Sequence, residues 1–140
     1  MTITLAELSA QHGVTVLEHL EADAEVPVLE GLQAQGDLLV IPVTETPHDP
    51  GRLRFTQIPE EGVPVIPAAS DAAHEHRLFA SVPGTAWWAS LHDGTEIGVV
   101  RCTQPVYILH AEHGALGVAP GSYLLRRQRE QADQERLVAD

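Results

Sequence analysis

Lysine is absent from this 140-residue chain, and cysteine and the aromatics are scarce: one Cys, two Trp, two Tyr and two Phe. The single thiol, Cys102, cannot close an internal disulfide, so nothing points to an oxidising compartment. No apolar run approaches the roughly 20 residues that a membrane-spanning helix needs. Met1 to Ala10 carries Glu7, no basic residue and no long apolar stretch, unlike a secretory signal. The ending Leu137-Val138-Ala139-Asp140 matches no lipidation box. The expectation is a cytoplasmic protein without membrane association. With aromatics at 4%, Val, Leu, Ile and Ala have to fill most of the core.

Familiar catalytic signatures are missing too. There is no Gly-x-Ser-x-Gly, no P-loop and no dinucleotide fingerprint. Acidic residues are plentiful, yet no pair has a spacing that singles it out for acid–base work. Whether the chain is an enzyme stays open on these grounds. Cys102 sits in an apolar run and reads as a small core residue.

The formal net charge is −12 and unevenly spread: residues 1–51 hold nine acids and no Arg, and residues 52–140 hold eleven acids and all eight Arg. Such a chain repels phosphate backbones at long range, which disfavours nucleic acid as a general partner. Surplus acid also serves solubility.

The length suits one domain. Thr4, Glu7 and Gly13 bracket a short helix over 4–12, with Leu5 and Leu8 on its buried face. Residues 14–20 fit a strand or a helix face, and 26–29 form a short extended piece. Gly36-Asp37 signals a turn before the strand Leu38 to Val43, whose Pro42 belongs at an edge. Five of the ten prolines fall within 44–70, where two short strands near 52–57 and 63–66, or an inserted loop, are expected instead of helix. From His74 on, extended segments recur about every ten residues: 74–80, 85–91, 96–102, 105–110, 115–119 and 122–129. Pro83-Gly84, Asp93-Gly94, Glu112-His113-Gly114 and Pro120-Gly121 separate them. This predicts a mainly β, single-domain sandwich or barrel over 1–130 with a short N-terminal helix, followed by a polar tail at 131–140.

The eight histidines are the least ordinary part of the composition. His74 and His76 lie two apart on an expected strand and so share a face. His110 and His113 lie at the end of another. Imidazole is the common ligand for divalent transition metals, so these four residues form a candidate site for zinc, iron or nickel, with Glu75 or Glu112 as a further donor. Paired histidines on a half-exposed strand are also ordinary polar surface. Arg126, Arg127 and Arg129 are the one basic cluster. On a strand, Arg127 and Arg129 share a face that Arg126 does not, and the group suits an anion, an acidic partner or the chain's own acids. Of the neighbours Trp87 and Trp88, one belongs in the core and the other nearer the surface; Trp88 is the candidate anchor for a partner.

His74-Glu75-His76 loosely resembles the His-x-His of cupins, small β barrels that hold a metal on such a pair plus a glutamate and a third histidine. Here Ala68 stands where the first cupin glycine would be, Ala80 and Ser81 where the glutamate would be, and no His follows Pro120-Gly121. The resemblance, over about half the chain, implies a jelly-roll or barrel shape more than it implies a metal. A second run, His110-Ala-Glu-His-Gly followed by Pro120-Gly-Ser-Tyr and Arg127-Gln-Arg-Glu, is similar to a segment of mainly actinobacterial proteins with no established activity.

Two principal readings follow. One is a non-enzymatic binding or accessory subunit of a bacterial intracellular assembly, associating with a protein partner or with itself. The other is a cupin-like metal protein, either a small enzyme or a small-molecule sensor. A third, anion or RNA binding through the arginines, has to contend with the net charge.

Overall fold

The computed structural model describes residues 2–14, 22–45, 53–66 and 75–128. Its one α-helix among them, α1 (Leu5–His12), is set by local chemistry. The Thr4 hydroxyl accepts from the Glu7 amide, and the Glu7 carboxylate accepts from the Thr4 amide, each at 3.2 Å. This reciprocal cap satisfies two amides that the first turn leaves without partners. Gly13, at φ 70°, ends the helix in the left-handed conformation.

Eleven strands follow among the described residues: β1 (Val28–Leu29), β2 (Gln33–Gln35), β3 (Leu38–Pro42), β4 (Thr56–Gln57), β5 (Val63–Ile66), β6 (His76–Ala80), β7 (Ala86–Asp93), β8 (Glu96–Cys102), β9 (Val106–His110), β10 (Gly114–Val118) and β11 (Gly121–Arg127). They form two sheets, ordered β1-β10-β9-β6-β5 and β2-β3-β11-β8-β7-β4. Every pairing is antiparallel except the short parallel contact of β1 with β10. The fold is thus a mainly β sandwich with one short helix.

Strand alternation explains where the core lies. Leu78 and Ile108 point inward to meet Leu38, Val40, Val100 and Leu125 of the other sheet. Their neighbours Phe79, Tyr107 and Leu109 point out, and there Leu5 and Leu8 of α1 cover them in a second cluster. All five residues of β9 are therefore buried, a continuous run instead of an alternating one.

Among the described residues, the expected strands are present with ends shifted by a residue or two, and of 53–57 only Thr56 and Gln57 pair; residues 52, 74 and 129 of the expected strands lie outside the described residues. Strand β2 is an addition. Its inward residues, Gln33 and Gln35, are polar, so no hydrophobic alternation marks it. The structure buries them by sending both side chains across to the other sheet. Gln33 Nε2 donates to the Gly117 carbonyl at 2.9 Å. Gln35 Nε2 donates to the carbonyls of Ile108 and Gly114 at 3.0 and 3.2 Å. Strand β2 reaches no further along β3 than Val40, so Pro42 lies past the last partner on that side. Most of 14–20 and the whole tail 131–140 lie outside the described residues.

Candidate functional site

Register brings three of the four candidate histidines together. Strands β6 and β9 pair with Arg77 opposite Leu109, which places His76 beside His110 on the inner face. Their ring centroids are 4.3 Å apart. The turn from β9 into β10 carries His113 back over them, 4.5 Å from His110 and 6.3 Å from His76. His74 lies outside the described residues. Gly36, in the turn between β2 and β3, completes the fit: a Cβ there would sit 2.8 Å from the His113 ring, and its φ of 58° already favours glycine.

Hydrogen bonds fix what each imidazole can do. The two carbonyls that take protons from Gln35 Nε2 fix the orientation of that amide, so its Oε1 faces His76 Nδ1 at 2.9 Å and accepts. His76 therefore carries a proton on Nδ1. Its Nε2 lies 3.0 Å from Asp37 Oδ1, an arrangement that favours a second proton on the ring. Burial acts against that proton, and so does the neighbouring His110. Together they outweigh Asp37, with a smaller push from His113, and His76 is lowered to about 4. At neutral pH the His76–Asp37 contact is a proton short. In His110, Nδ1 accepts from the backbone amides of Glu112 and His113, both at 3.1 Å. That leaves the proton of neutral His110 on Nε2.

Asp37 ties further elements to the cluster. Its other carboxylate oxygen is 3.5 Å from Arg127 Nε, and its carbonyl accepts from the Gln128 amide at 2.6 Å. Thus the β2–β3 turn, the start of β6 and the end of β11 meet at one residue. Neither Gln35 nor Asp37 was among the sequence candidates. The Gly36-Asp37 turn signal placed the right loop, but a turn signal carries no information about what the loop will touch.

The other candidates separate. Arg126 donates from Nε to Thr95 Oγ1 at 3.2 Å, Arg127 turns to Asp37, and Arg129 lies outside the described residues. Trp88, named as an anchor for a partner, is 8% exposed and belongs to the core between the sheets, its Nε1 donating to Ser90 Oγ at 3.1 Å. Trp87 is the partly exposed member of the pair. Glu75 accepts from Arg77 Nε at 2.9 Å. Cys102 is buried, which pushes its thiol pKa up and suits a core residue. Among the described residues, no group of three or more His, Cys, Asp or Glu is arranged to share a metal ion. None of their helices is long and apolar enough to cross a membrane.

Among the described residues, the exposed large apolar side chains are Val28, Leu29, Leu32 and Val82. Val28, Leu29 and Leu32 stand out at the β1 edge of the five-stranded sheet, with Leu32 63% exposed. Residues 34–128 match a family model described as Domain of unknown function (DUF8820). No curated protein and no solved structure matches the chain.

Proposed function

The chain belongs to the DUF8820 family, and we propose that it is a non-enzymatic binding or accessory subunit that docks a basic protein segment along its β1 edge. The observation that carries this reading is the exposed apolar group Val28, Leu29 and Leu32 on a sheet edge. Edge strands offer unpaired backbone groups that an extended segment can extend, and side-chain contacts then give selectivity. Charge specifies the partner. Asp23, Glu25 and Glu30 flank the edge, and no Arg or Lys occurs before residue 52. A second copy of this acidic chain is the poorer occupant, because like charges repel. The histidine cluster supports the same reading: its hydrogen bonds join the two sheets and the turns between them. A bacterial cytoplasmic assembly is the proposed setting.

The test is selection of displayed extended peptides against the purified chain, beside the variant Leu29→Asp/Leu32→Asp. Peptides alternating apolar residues with Arg or Lys are expected to bind the wild type, with binding lost in the variant at unchanged melting temperature. Sedimentation of the wild type alone is expected to show a monomer. Equal binding by the two proteins, or no selected peptide, removes the edge as the docking surface. A stable dimer that the substitutions dissociate would make a second copy the occupant.

The cupin-like metal protein is the alternative, supported by the three imidazoles gathered at one end of the sandwich.

A further inference from the structure

The space between the sheets stays open beside the histidine cluster. Strand β5, at the edge of its sheet, sets Ile66 opposite His76. Strand β7 and the β7–β8 turn belong to the other sheet, and between them and β5 lies a cavity of about 470 Å³. Small-molecule sites commonly measure roughly 300–1,000 Å³. Ile66, Trp88 and Ile97 give the cavity apolar walls, and Ser90, Glu96 and Arg127 supply polar lining. The Arg127 amide donates to the Thr95 carbonyl at 2.7 Å, which sets Arg127 beside Glu96 on the neighbouring strand. Arg127 Nε is 3.5 Å from Asp37 Oδ2, longer than the roughly 2.7–3.2 Å of a hydrogen bond. A guanidinium has more donors than that contact uses, so Arg127 keeps some for a ligand.

Charge decides what the cavity takes. Among the described residues that line it, Arg127 is the one cation and Glu96 the one carboxylate. A ligand with a single charge would match one of them and face the other with like sign. A simple anion would also be repelled by a chain of net charge −12. A zwitterion matches both groups and brings no net charge, and its two charges lie close together, as those of neighbouring Arg127 and Glu96 do. The apolar walls add an apolar side chain to the description. We infer that this cavity binds a free α-amino acid with an apolar side chain. Its carboxylate accepts from Arg127, its ammonium group donates to Glu96, and its side chain rests against Ile66, Trp88 and Ile97. The site shares no residue with the β1 edge and stands or falls separately.

The two tryptophans make the test local. Trp88 Nε1 donates to Ser90 Oγ at 3.1 Å, and both residues line the cavity, whereas Trp87 does not. The indole N–H region of the NMR spectrum therefore holds one reporter and one control. With L-leucine added to the full chain, a saturable shift of the Trp88 signal is expected while the Trp87 signal stays in place. N-acetylleucine lacks the ammonium group, leucine methyl ester lacks the carboxylate and glycine lacks the side chain, so each is expected to bind at least tenfold more weakly. Affinity for leucine is expected to fall about tenfold, or 1.4 kcal/mol, in Arg127→Gln and in Glu96→Gln. No saturable shift at Trp88, or equal shifts of both indoles, overturns the proposal. Binding of the acetylated, esterified or side-chain-free compound as tight as that of leucine overturns it as well, because the zwitterion or the apolar wall would then not be read. These three compounds are tested on the wild type, so the proposal stays falsifiable if Arg127→Gln fails to fold.

Discussion

Gln35 and His76 belong to different sheets, yet Oε1 of one lies 2.9 Å from Nδ1 of the other, while the same glutamine gives both its N–H groups to the carbonyls of Ile108 and Gly114. One amide thus satisfies three buried groups. Replacing it breaks three buried hydrogen bonds at once, each worth about 0.5–1.5 kcal/mol net, and takes from His76 Nδ1 the acceptor it faces. Gln35→Leu keeps the bulk and removes the bonds, so a loss of roughly 3 kcal/mol or more is expected in urea unfolding. Ala34→Ser, at the exposed position beside it, is expected to change stability by less than about 0.5 kcal/mol. Equal effects of the two would mean that the glutamine bonds contribute nothing net.

His76 gives the protein an acid-side weakness. Its folded pKa is about 4, lowered first by burial and then by His110, against an ordinary value of 6.5. Between these values the unfolded chain binds the proton and the folded chain does not, so acidification favours unfolding. The contribution is whole above about pH 6.5, declines as pH falls, and levels off below about 4, for a total of roughly 3 kcal/mol. NMR titration of the ring reads this directly: His76 is expected to stay neutral through pH 5. In Asp37→Asn, which removes the opposing pull, its midpoint is expected to drop further. A midpoint above 6.5 would mean that Asp37 wins over burial, and the sign of the pH dependence would reverse.

The sandwich was legible in the sequence because several of its strands announce themselves. Glu96–Cys102 and Val63–Ile66 have apolar residues between turn signals, and both occur with the expected bounds. The helix was legible from Thr4, Glu7 and Gly13 because caps are local chemistry. Strand β2 was not, since Gln33 and Gln35 are buried by bonds to backbone carbonyls more than 70 residues away. The histidine cluster was half legible. Spacing singled out His76, His110 and His113, but only the pairing of β6 with β9 could place them in one group. The roles of their nitrogens depend on Gln35, Asp37 and two turn amides, and no spacing rule reports those. Trp88 shows the remaining gap: alternation says that Trp87 and Trp88 face opposite ways, not which of them faces in.

Gly36 is held by two separate constraints, and two substitutions separate them. Its φ of 58° penalises alanine by about 1 kcal/mol, and any Cβ lies 2.8 Å from the exposed His113 ring. Asparagine tolerates the left-handed region better than alanine but carries the same Cβ. Gly36→Ala is expected to cost about 1–2 kcal/mol and to shift the His113 ring resonances. If Gly36→Asn recovers the stability while the resonance shift persists, the backbone sets the cost and His113 merely moves aside. If both variants lose the same amount, the packed ring sets it.

Metal content decides between the binding subunit and the metal protein. His110 accepts two backbone amides at Nδ1, so its proton sits on Nε2. Coordination through Nε2 would need that proton moved to Nδ1 and both amide bonds given up, at about 0.5–1.5 kcal/mol each. His76 has Nδ1 committed to Gln35 and Nε2 against Asp37. A metal must therefore displace bonds that join the two sheets, and the untagged protein is expected to bind no near-stoichiometric zinc, iron or nickel, alone or after incubation with their salts. His74→Ala/His76→Ala is then expected to lower stability without changing metal content. A near-stoichiometric metal that the double variant loses would instead show that the cluster rearranges around an ion. It would move the chain to the cupin-like reading and make a substrate search the next step.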